Sequence, residues 1–384
     1  MSGYLFIENS NKPSIEKANS RDTIILDNVS IPCVKSALKR NYTVWVGVNR
    51  NNADELKCDY PVKLYDSHTY RSITAMKDNL IAYKNACDVV KKNDISIIHC
   101  NTPVGGMIGR LVGKRYGVHK VIYTAHGFHF YKGASFFNRT IIKMAERIMA
   151  RWTDVIITMN EEDFQAAKRF KLRKGGSVYK VHGVGITLAD YQNPNNREDK
   201  RNELGITDSD IVFISAGDLI ERKNYALAIQ AIALANNRHI HYFICGQGPE
   251  LKNLEDLSKE LGIDCQIHFL GFRNDIKELL YAADVFLFTT LQEGLPRSMM
   301  EAMACGLPCI ASKVRGNIDL LEDKKGGFLC DITDVSDFVA KINVVANDEN
   351  LRKRMSDSNL QRIKEFDIKV VEKEIDSIYE HVLN

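Results

Sequence analysis

The sequence predicts an α/β protein made of two doubly wound, parallel-sheet domains in tandem, and three observations carry that expectation. The chain has 384 residues, beyond the size at which one hydrophobic core keeps growing. Short apolar runs rich in β-branched residues alternate with amphipathic stretches, the pattern of a parallel sheet covered by helices. That alternation occurs twice, on either side of a polar stretch with Pro and Asn at residues 193–200.

The first set of runs covers residues 23–26, 43–48, 95–99, 121–124 and 154–158, with 73–91 and 105–116 reading as helices between them. A second set begins at 211–216 and continues with 241–245, 266–270, 285–289 and 309–312. The expected division is a first domain at 1–192, a second at 193–365, and a final helix at 366–384 packing back toward the first domain. Sheets of this kind bind ligands beyond the C-terminal ends of their strands, so a central cleft between the two domains is expected.

With 45% hydrophobic and 26% charged residues and no low-complexity tract, both domains should be folded. The net charge of +3 hides a local excess. Between Val104 and Arg151 stand nine Lys or Arg residues (110, 114, 115, 120, 132, 139, 143, 147 and 151) against one acid, Glu146. This basic region has no interleaved aromatic platform for stacking bases, so no nucleic-acid partner is expected. The nine cysteines are scattered without metal-ligand spacing, which fits a reduced, cytoplasmic protein. The first twenty residues are polar and lack the apolar core of a signal peptide, and no apolar run approaches the ~18 residues that span a bilayer.

The most informative segment, residues 290–308, follows the strand at 285–289. Glu293 falls in the strand-to-helix turn, Gly294 lets the backbone approach a ligand closely, and Pro296 marks the helix start. The N–H groups of Leu295, Arg297 and Ser298, with the helix dipole, then form an anion site suited to a diphosphate. Glu301 stands eight positions after Glu293. Its two carboxylate oxygens suit a pair of vicinal hydroxyls. Two solvated acids near a helix start are the alternative; the strand–turn–helix context around Gly294-Leu295-Pro296 favours a site.

The run from Glu293 to Glu301, with the downstream Ala302, Cys305, Gly306, Leu307 and Pro308, resembles the EX7E signature of the retaining GT-B glycosyltransferases known as family 4. The resemblance implies two Rossmann-like domains and transfer of a sugar from a nucleotide-sugar donor with retention of configuration. It implies that Glu293 contacts the donor sugar and Glu301 the nucleotide ribose. Residues 217–224, beginning at Gly217, resemble the loop whose basic residues clamp the donor diphosphate. Lys223 aligns with the family's lysine. Many members carry an arginine immediately after the glycine, where this chain has Asp218, and Arg222 is the substitute candidate. Read alone, this loop fits a solvated charged turn equally well.

Further matches follow. Gly246 opens a turn after the strand ending at Cys245, and residues 269–274 resemble the loop bordering the base, where main-chain groups near Phe272 and Arg273 would read it or a side-chain face stack on it. In the first half, His126 occupies the position of the histidine that approaches the donor sugar, and Gly183-Val184-Gly185 resembles the turn before the linker. One departure stands out. The family often has a Gly-Gly loop after its first strand, whereas residues 24–32 contain no glycine, so either Asn28 to Ser30 line the site differently or Gly105-Gly106 lies nearby.

Stabilising the leaving diphosphate is the main catalytic task, assigned here to Lys223, Arg222 and the N–H groups at 295–298, with His126, Glu293 and Lys223 as catalytic residues. No metal or other cofactor is expected, and Asp208-Ser209-Asp210 reads as a turn. A UDP-sugar is the favoured donor, with GDP-sugars next. In residues 136–152, Phe137, Ile141, Ile148 and Trp152 share a helical spacing with Arg139, Lys143, Arg147 and Arg151 at every fourth position. The pattern fits an interfacial helix as well as an ordinary surface helix with its apolar side in the core. The resemblance favours the membrane, implying peripheral contact at the cytoplasmic face through residues 110–151 and a polyprenyl-diphosphate-linked glycan acceptor in exopolysaccharide biosynthesis. The competing readings are a GT-B nucleotide-sugar epimerase and a non-catalytic nucleotide-sugar-binding partner subunit.

Overall fold

The computed structural model describes residues 2–8, 23–50, 52–70, 72–191, 197–207 and 209–383. They form two compact units, Met1–Gly185 with Ile368–Asn384, and Ile186–Asp367.

The first unit contains β1 (Gly3–Ile7), β2 (Thr23–Ile24), β3 (Thr43–Val48), β4 (Lys57–Cys58), β5 (Lys63–Asp66), β6 (Ile95–Asn101), β7 (Lys120–Ala125), β8 (Val155–Thr158) and β9 (Ser177–Lys180). Seven of these make one sheet in the order β5-β3-β1-β6-β7-β8-β9, with every pairing parallel. An interior strand of this sheet, β1, which pairs with β3 on one side and β6 on the other, is not among the runs expected from sequence. All five of its residues are buried, as a strand covered on both faces requires, but they sit in a window whose average is polar. The expected strand at 23–26 contributes only β2, which pairs with β4 outside the main sheet. The loop after the true first strand therefore begins at Glu8, and residues 9–22 lie outside the described residues. The absent Gly-Gly loop was sought after the wrong strand. Gly105 and Gly106 lie in the first turn of the helix Pro103–Tyr116, and a Cβ at Gly106 would come within 2.4 Å of the Tyr123 ring, so this glycine lets helix and sheet touch.

The helix Ile368–Leu383 belongs to the first unit. Its stripe of Ile368, Val371, Ile375, Ile378 and Tyr379 is buried. The Tyr379 hydroxyl lies 2.6 Å from both the Tyr4 hydroxyl and His99 Nδ1, and His99 Nε2 lies 2.7 Å from Thr124 Oγ1. Burial pushes the His99 pKa down to about 3, so this ring stays neutral. On the helix's polar side Asp376 accepts hydrogen bonds from Arg40, from Lys39 at 2.5 Å and from Ser36 at 2.9 Å, all at the helix Ile31–Lys39 or its end.

The basic region at 104–151 loses one of its expected surface cations. Arg110 is wholly buried; its guanidinium donates to both Glu146 oxygens, at 2.7 and 3.2 Å, and lies 3.9 Å from the Tyr123 ring centre. It is absent from the basic surface. The apolar stripe is not in the core: Phe136 is 83% exposed, and Phe137, Ile141, Met144 and Ile148 are exposed as well. No helix among the described residues is long and apolar enough to cross a membrane.

The second unit contains β10 (Ile211–Ala216), β11 (Ile240–Cys245), β12 (Ile267–Gly271), β13 (Val285–Phe288), β14 (Cys309–Ser312) and β15 (Gly327–Cys330). They form one parallel sheet in the order β12-β11-β10-β13-β14-β15, with an apolar cluster on each face. This unit starts at Ile186 rather than at 193, because the Ile186 N–H already donates to the Phe366 carbonyl at 2.9 Å and Leu188 and Tyr191 pack on its core. Residues 193–196 of the expected linker lie outside the described residues.

Contact with the Arg40 guanidinium, reinforced by Lys39, holds the Asp376 carboxyl well below the usual aspartate range. A carboxylate with a lowered native pKa contributes stability above its unfolded pKa, and that contribution fades as the pH falls toward the native value. Asp376→Asn is therefore expected to lower stability by about 1 kcal/mol at pH 7. In pH-resolved thermal melts the difference from wild type should narrow below about pH 4.

Candidate active site

In the second unit β10 is the strand from which the winding runs both ways, through β11 to β12 on one side and through β13 to β15 on the other. The crevice beyond the C-terminal ends of β10 and β13 is where such a sheet takes its ligand. Two loops meet there, residues 217–224 after β10 and 289–296 after β13. Their backbones are stitched together: the Leu291 N–H donates to the Arg222 carbonyl at 2.9 Å, and Thr289 Oγ1 donates to the Asn224 carbonyl at 2.8 Å.

Glu293 closes the junction. Its Oε1 accepts from Lys223 Nζ at 2.7 Å, Arg222 Nη1 at 3.1 Å and Thr290 Oγ1 at 2.9 Å. The Glu293 and Lys223 side chains are only 11% and 12% exposed, while Arg222 reaches solvent and also donates to the Gln292 carbonyl at 2.6 Å. Two cations share one carboxylate. The site thus keeps an excess positive charge held in a fixed position, which suits an anionic ligand.

Pro296 is the last residue before the helix Arg297–Ala304, and its carbonyl accepts the bond from the Met300 N–H at 3.2 Å. The N–H groups of Arg297 and Ser298, in the first turn, have no intrahelical acceptor. Glu301 lies on this helix, 19% exposed at its side chain and 3.0 Å from Arg297 Nε. Burial raises its carboxyl pKa, with contacts from Arg297 and Tyr191 opposing. Glu293, Glu301, Arg222, Lys223, Leu295, Arg297 and Ser298 are thus all carried by the two loops at this strand junction and the helix that follows.

Other predicted residues sit differently. Gly246 has a structural reason of its own: at φ +156°, its Cβ would lie 1.9 Å from the Gly217 carbonyl oxygen, so the ends of β10 and β11 meet only through two glycines. The Arg273 guanidinium is held in place by Asp275 at 2.7 and 2.5 Å. Phe272 is left as the exposed ring of that loop. Gly294 is approached closely by the loop after β14, where a Cβ at Gly316 would come 2.6 Å from its carbonyl oxygen. Asp210 closes a turn by accepting from the Thr207 N–H at 2.9 Å; Asp208 lies outside the described residues.

In the first unit His126 follows β7 and lines a small cavity with Asn28, Asn101, Thr124 and Gly183. Asn28 and Gly183, both noted from sequence, therefore share one cavity with His126. Sequence reasoning missed Thr290, Tyr191 and Arg315. Arg315 is buried and donates to the Glu293 carbonyl at 3.0 Å; its position just after β14, at the ligand edge of the sheet, is the signal that could have marked it.

Two parallel-sheet α/β units in one chain, with a charged strand-end site on the second, are the architecture of the GT-B class. The chain belongs to the GT-B glycosyltransferases: residues 196–362 match the family described as Glycosyl transferases group 1, and residues 26–160 match Glycosyl transferase 4-like. It is 32% identical over 307 residues to the putative glycosyltransferase EpsD of Bacillus subtilis, covering 78% of this chain and 80% of that one. It is 29% identical to a UDP-Gal:alpha-D-GlcNAc-diphosphoundecaprenol alpha-1,3-galactosyltransferase of Escherichia coli, over 82% of each. Among solved structures, Anabaena HepE in complex with UDP and glucose aligns with a TM-score of 0.77 at 18% identity, covering 99% of this chain and 100% of that one.

Because a Cβ at residue 246 has nowhere to go, Gly246→Ala is expected to cost about 2–3 kcal/mol of stability, read as a fall in the denaturant midpoint, whether or not nucleotide is present.

Proposed function

We propose that this glycosyltransferase moves a hexosyl group, with retention of configuration, from a UDP-sugar to a polyprenyl-diphosphate-linked glycan in the assembly of a cell-surface polysaccharide. The observation that carries the reading is the convergence of Lys223 and Arg222 on Glu293 beside the start of the helix bearing Glu301. The donor and acceptor classes are supported by the E. coli relative named above. A second relative points the same way: a Campylobacter jejuni N,N'-diacetylbacillosaminyl-diphospho-undecaprenol alpha-1,3-N-acetylgalactosaminyltransferase, 23% identical over 251 residues.

In this mechanism the diphosphate oxygens take Lys223, Arg222 and the N–H groups at 295–298 as partners. As the anomeric C–O bond breaks, charge builds on the leaving diphosphate, and donors already fixed in place stabilise it with little reorganisation. Glu293 keeps both cations in position and meets the donor sugar. Glu301 accepts from the ribose hydroxyls. His126, on the first unit, is assigned to the donor sugar. The acceptor oxygen bonds to the anomeric carbon on the face the diphosphate leaves, and the leaving phosphate oxygen takes the acceptor proton. The protein's own cations supply the positive charge, so the reaction runs without a metal ion. The exposed apolar stripe at 136–148, flanked by basic residues, is the peripheral contact with the anionic cytoplasmic leaflet.

The test is a panel of UDP- and GDP-sugars read by thermal shift and by nucleotide release, with and without chelator and a polyprenyl-diphosphate-linked sugar. Acceptor-dependent, chelator-insensitive release of UDP, lost in Glu301→Ala, is the expected result. Donor consumption without acceptor would indicate an epimerase instead, and no stabilisation by any nucleotide sugar would remove the reading. Lys223→Ala should lower kcat by roughly 10²–10³. Since burial raises the Glu301 pKa, donor affinity should weaken as the pH falls through a value above the ~4.3 of an ordinary glutamate; in Glu301→Gln, donor KM should be higher and flat over that range.

A further inference from the structure

On the first unit the loop after β7 and the turn at Asn138–Ile142 border an open groove of about 770 Å3 that the mechanism above does not use. That volume is in the range of small-molecule sites. Lys132, Arg139, Lys143 and Arg169 line it. None of these four cations forms an ion pair with a carboxylate among the described residues. The one acid in the lining, Glu162, accepts from the Lys132 backbone N–H at 2.7 Å. The inner wall is firm: buried Phe130 stacks on Phe128 with ring centres 4.7 Å apart, and Lys143 Nζ lies 5.7 Å from the Phe130 centre. Phe136, the most exposed large apolar residue of the unit, stands at the rim.

The same helical segment has a second face. Phe137, Ile141, Met144 and Ile148 are exposed at helical spacing, while Phe136, Arg139, Thr140 and Lys143 line the groove. A multivalent cationic groove therefore lies beside an unpartnered apolar stripe. Its complement is an amphiphile with a compact, multiply charged anionic head. We infer that the groove holds the diphosphate of the lipid-linked acceptor, with the polyprenyl chain leaving past Phe136 along the apolar stripe. Arginine forks suit paired phosphate oxygens. Phe130 is four residues from His126, at most about 14 Å of chain, so the sugar attached to the diphosphate starts close to the His126 cavity. This inference rests on the lipid-linked acceptor proposed above.

The experiment compares wild type with Arg139→Gln/Lys143→Gln. In detergent, KM for a polyprenyl-diphosphate-linked sugar should rise at least 10-fold in the variant, with donor KM and the melting midpoint unchanged and a diphosphate-free alkyl glycoside of the same sugar turned over equally by both. Farnesyl diphosphate, titrated calorimetrically, should bind wild type and lose at least 10-fold in affinity in the variant. An unchanged acceptor KM together with unchanged farnesyl diphosphate affinity would overturn the inference. So would a defect confined to sedimentation with phosphatidylglycerol vesicles, which would make the groove a site for bulk lipid headgroups. Should no lipid-linked acceptor be used, the functional reading fails by itself, and the farnesyl diphosphate titration still decides whether the groove takes a prenyl diphosphate.

Discussion

A single carboxylate oxygen, Glu293 Oε1, holds the ligand edge of the second unit together. Lys223 and Arg222 come from the loop after β10, and Thr290 and Glu293 from the loop after β13. These loops are 70 residues apart in sequence, yet they meet because β10 and β13 are hydrogen-bonded neighbours. Neither charge is comfortable alone. A largely buried Lys223 beside Arg222 would face repulsion and lost hydration, and an unpaired Glu293 would be a buried anion. Their mutual attraction fixes the two loops against each other, so the cations at this edge are held in place by contacts within the protein itself.

The two glutamates of this site are in different electrostatic situations. Glu293 accepts three hydrogen bonds within the protein and has little capacity left on the oxygen that receives them. Glu301 is desolvated by burial, and its cationic partner Arg297 has a side chain 56% exposed, where the pairing is weakened by water. A desolvated acceptor with incomplete compensation gains most from new donors. Ligand hydroxyls are such donors. The difference between the two carboxylates thus follows from burial and partners, although both residues look alike in sequence.

Much of this was legible in the chain before folding. The strand runs at 211–216, 241–245 and 285–289 correspond closely to β10, β11 and β13, because strands buried on both faces leave uninterrupted apolar runs. The strand–turn–helix context of residues 285–304 located Glu293 and Glu301 correctly on a turn and a helix. Contacts between distant segments were not legible. Which acid meets Lys223 depends on strand order, and Arg110 appeared to be a surface cation because its partner Glu146 sits 36 residues on. That the Cβ space of Gly246 is taken by the Gly217 carbonyl, from a residue 29 positions earlier in the chain, was not legible either. β1 is hidden in the sequence because its four apolar residues, Tyr4 to Ile7, sit in a window whose average is polar.

The Arg110–Glu146 pair also explains the surface of the first unit. The segment from Val104 to Arg151 has one acid, and that acid is spent inside, on the most deeply buried cation. The remaining eight cations, none of them buried, face outward with no carboxylate from their own segment. Phe136, Phe137, Ile141, Met144 and Ile148 stand exposed in the same segment. Exposed apolar area costs roughly 25 cal/mol per Å2 in water, and clustered positive charge adds self-repulsion. Neither cost is relieved by water or by salt in full, whereas a hydrocarbon layer bordered by phosphates relieves both together. With Glu146 spent on Arg110, Arg139, Lys143 and Arg147 stand among these exposed apolar side chains without an acid of their own segment, and the groove lined by Lys132, Arg139, Lys143 and Arg169 opens beside Phe136.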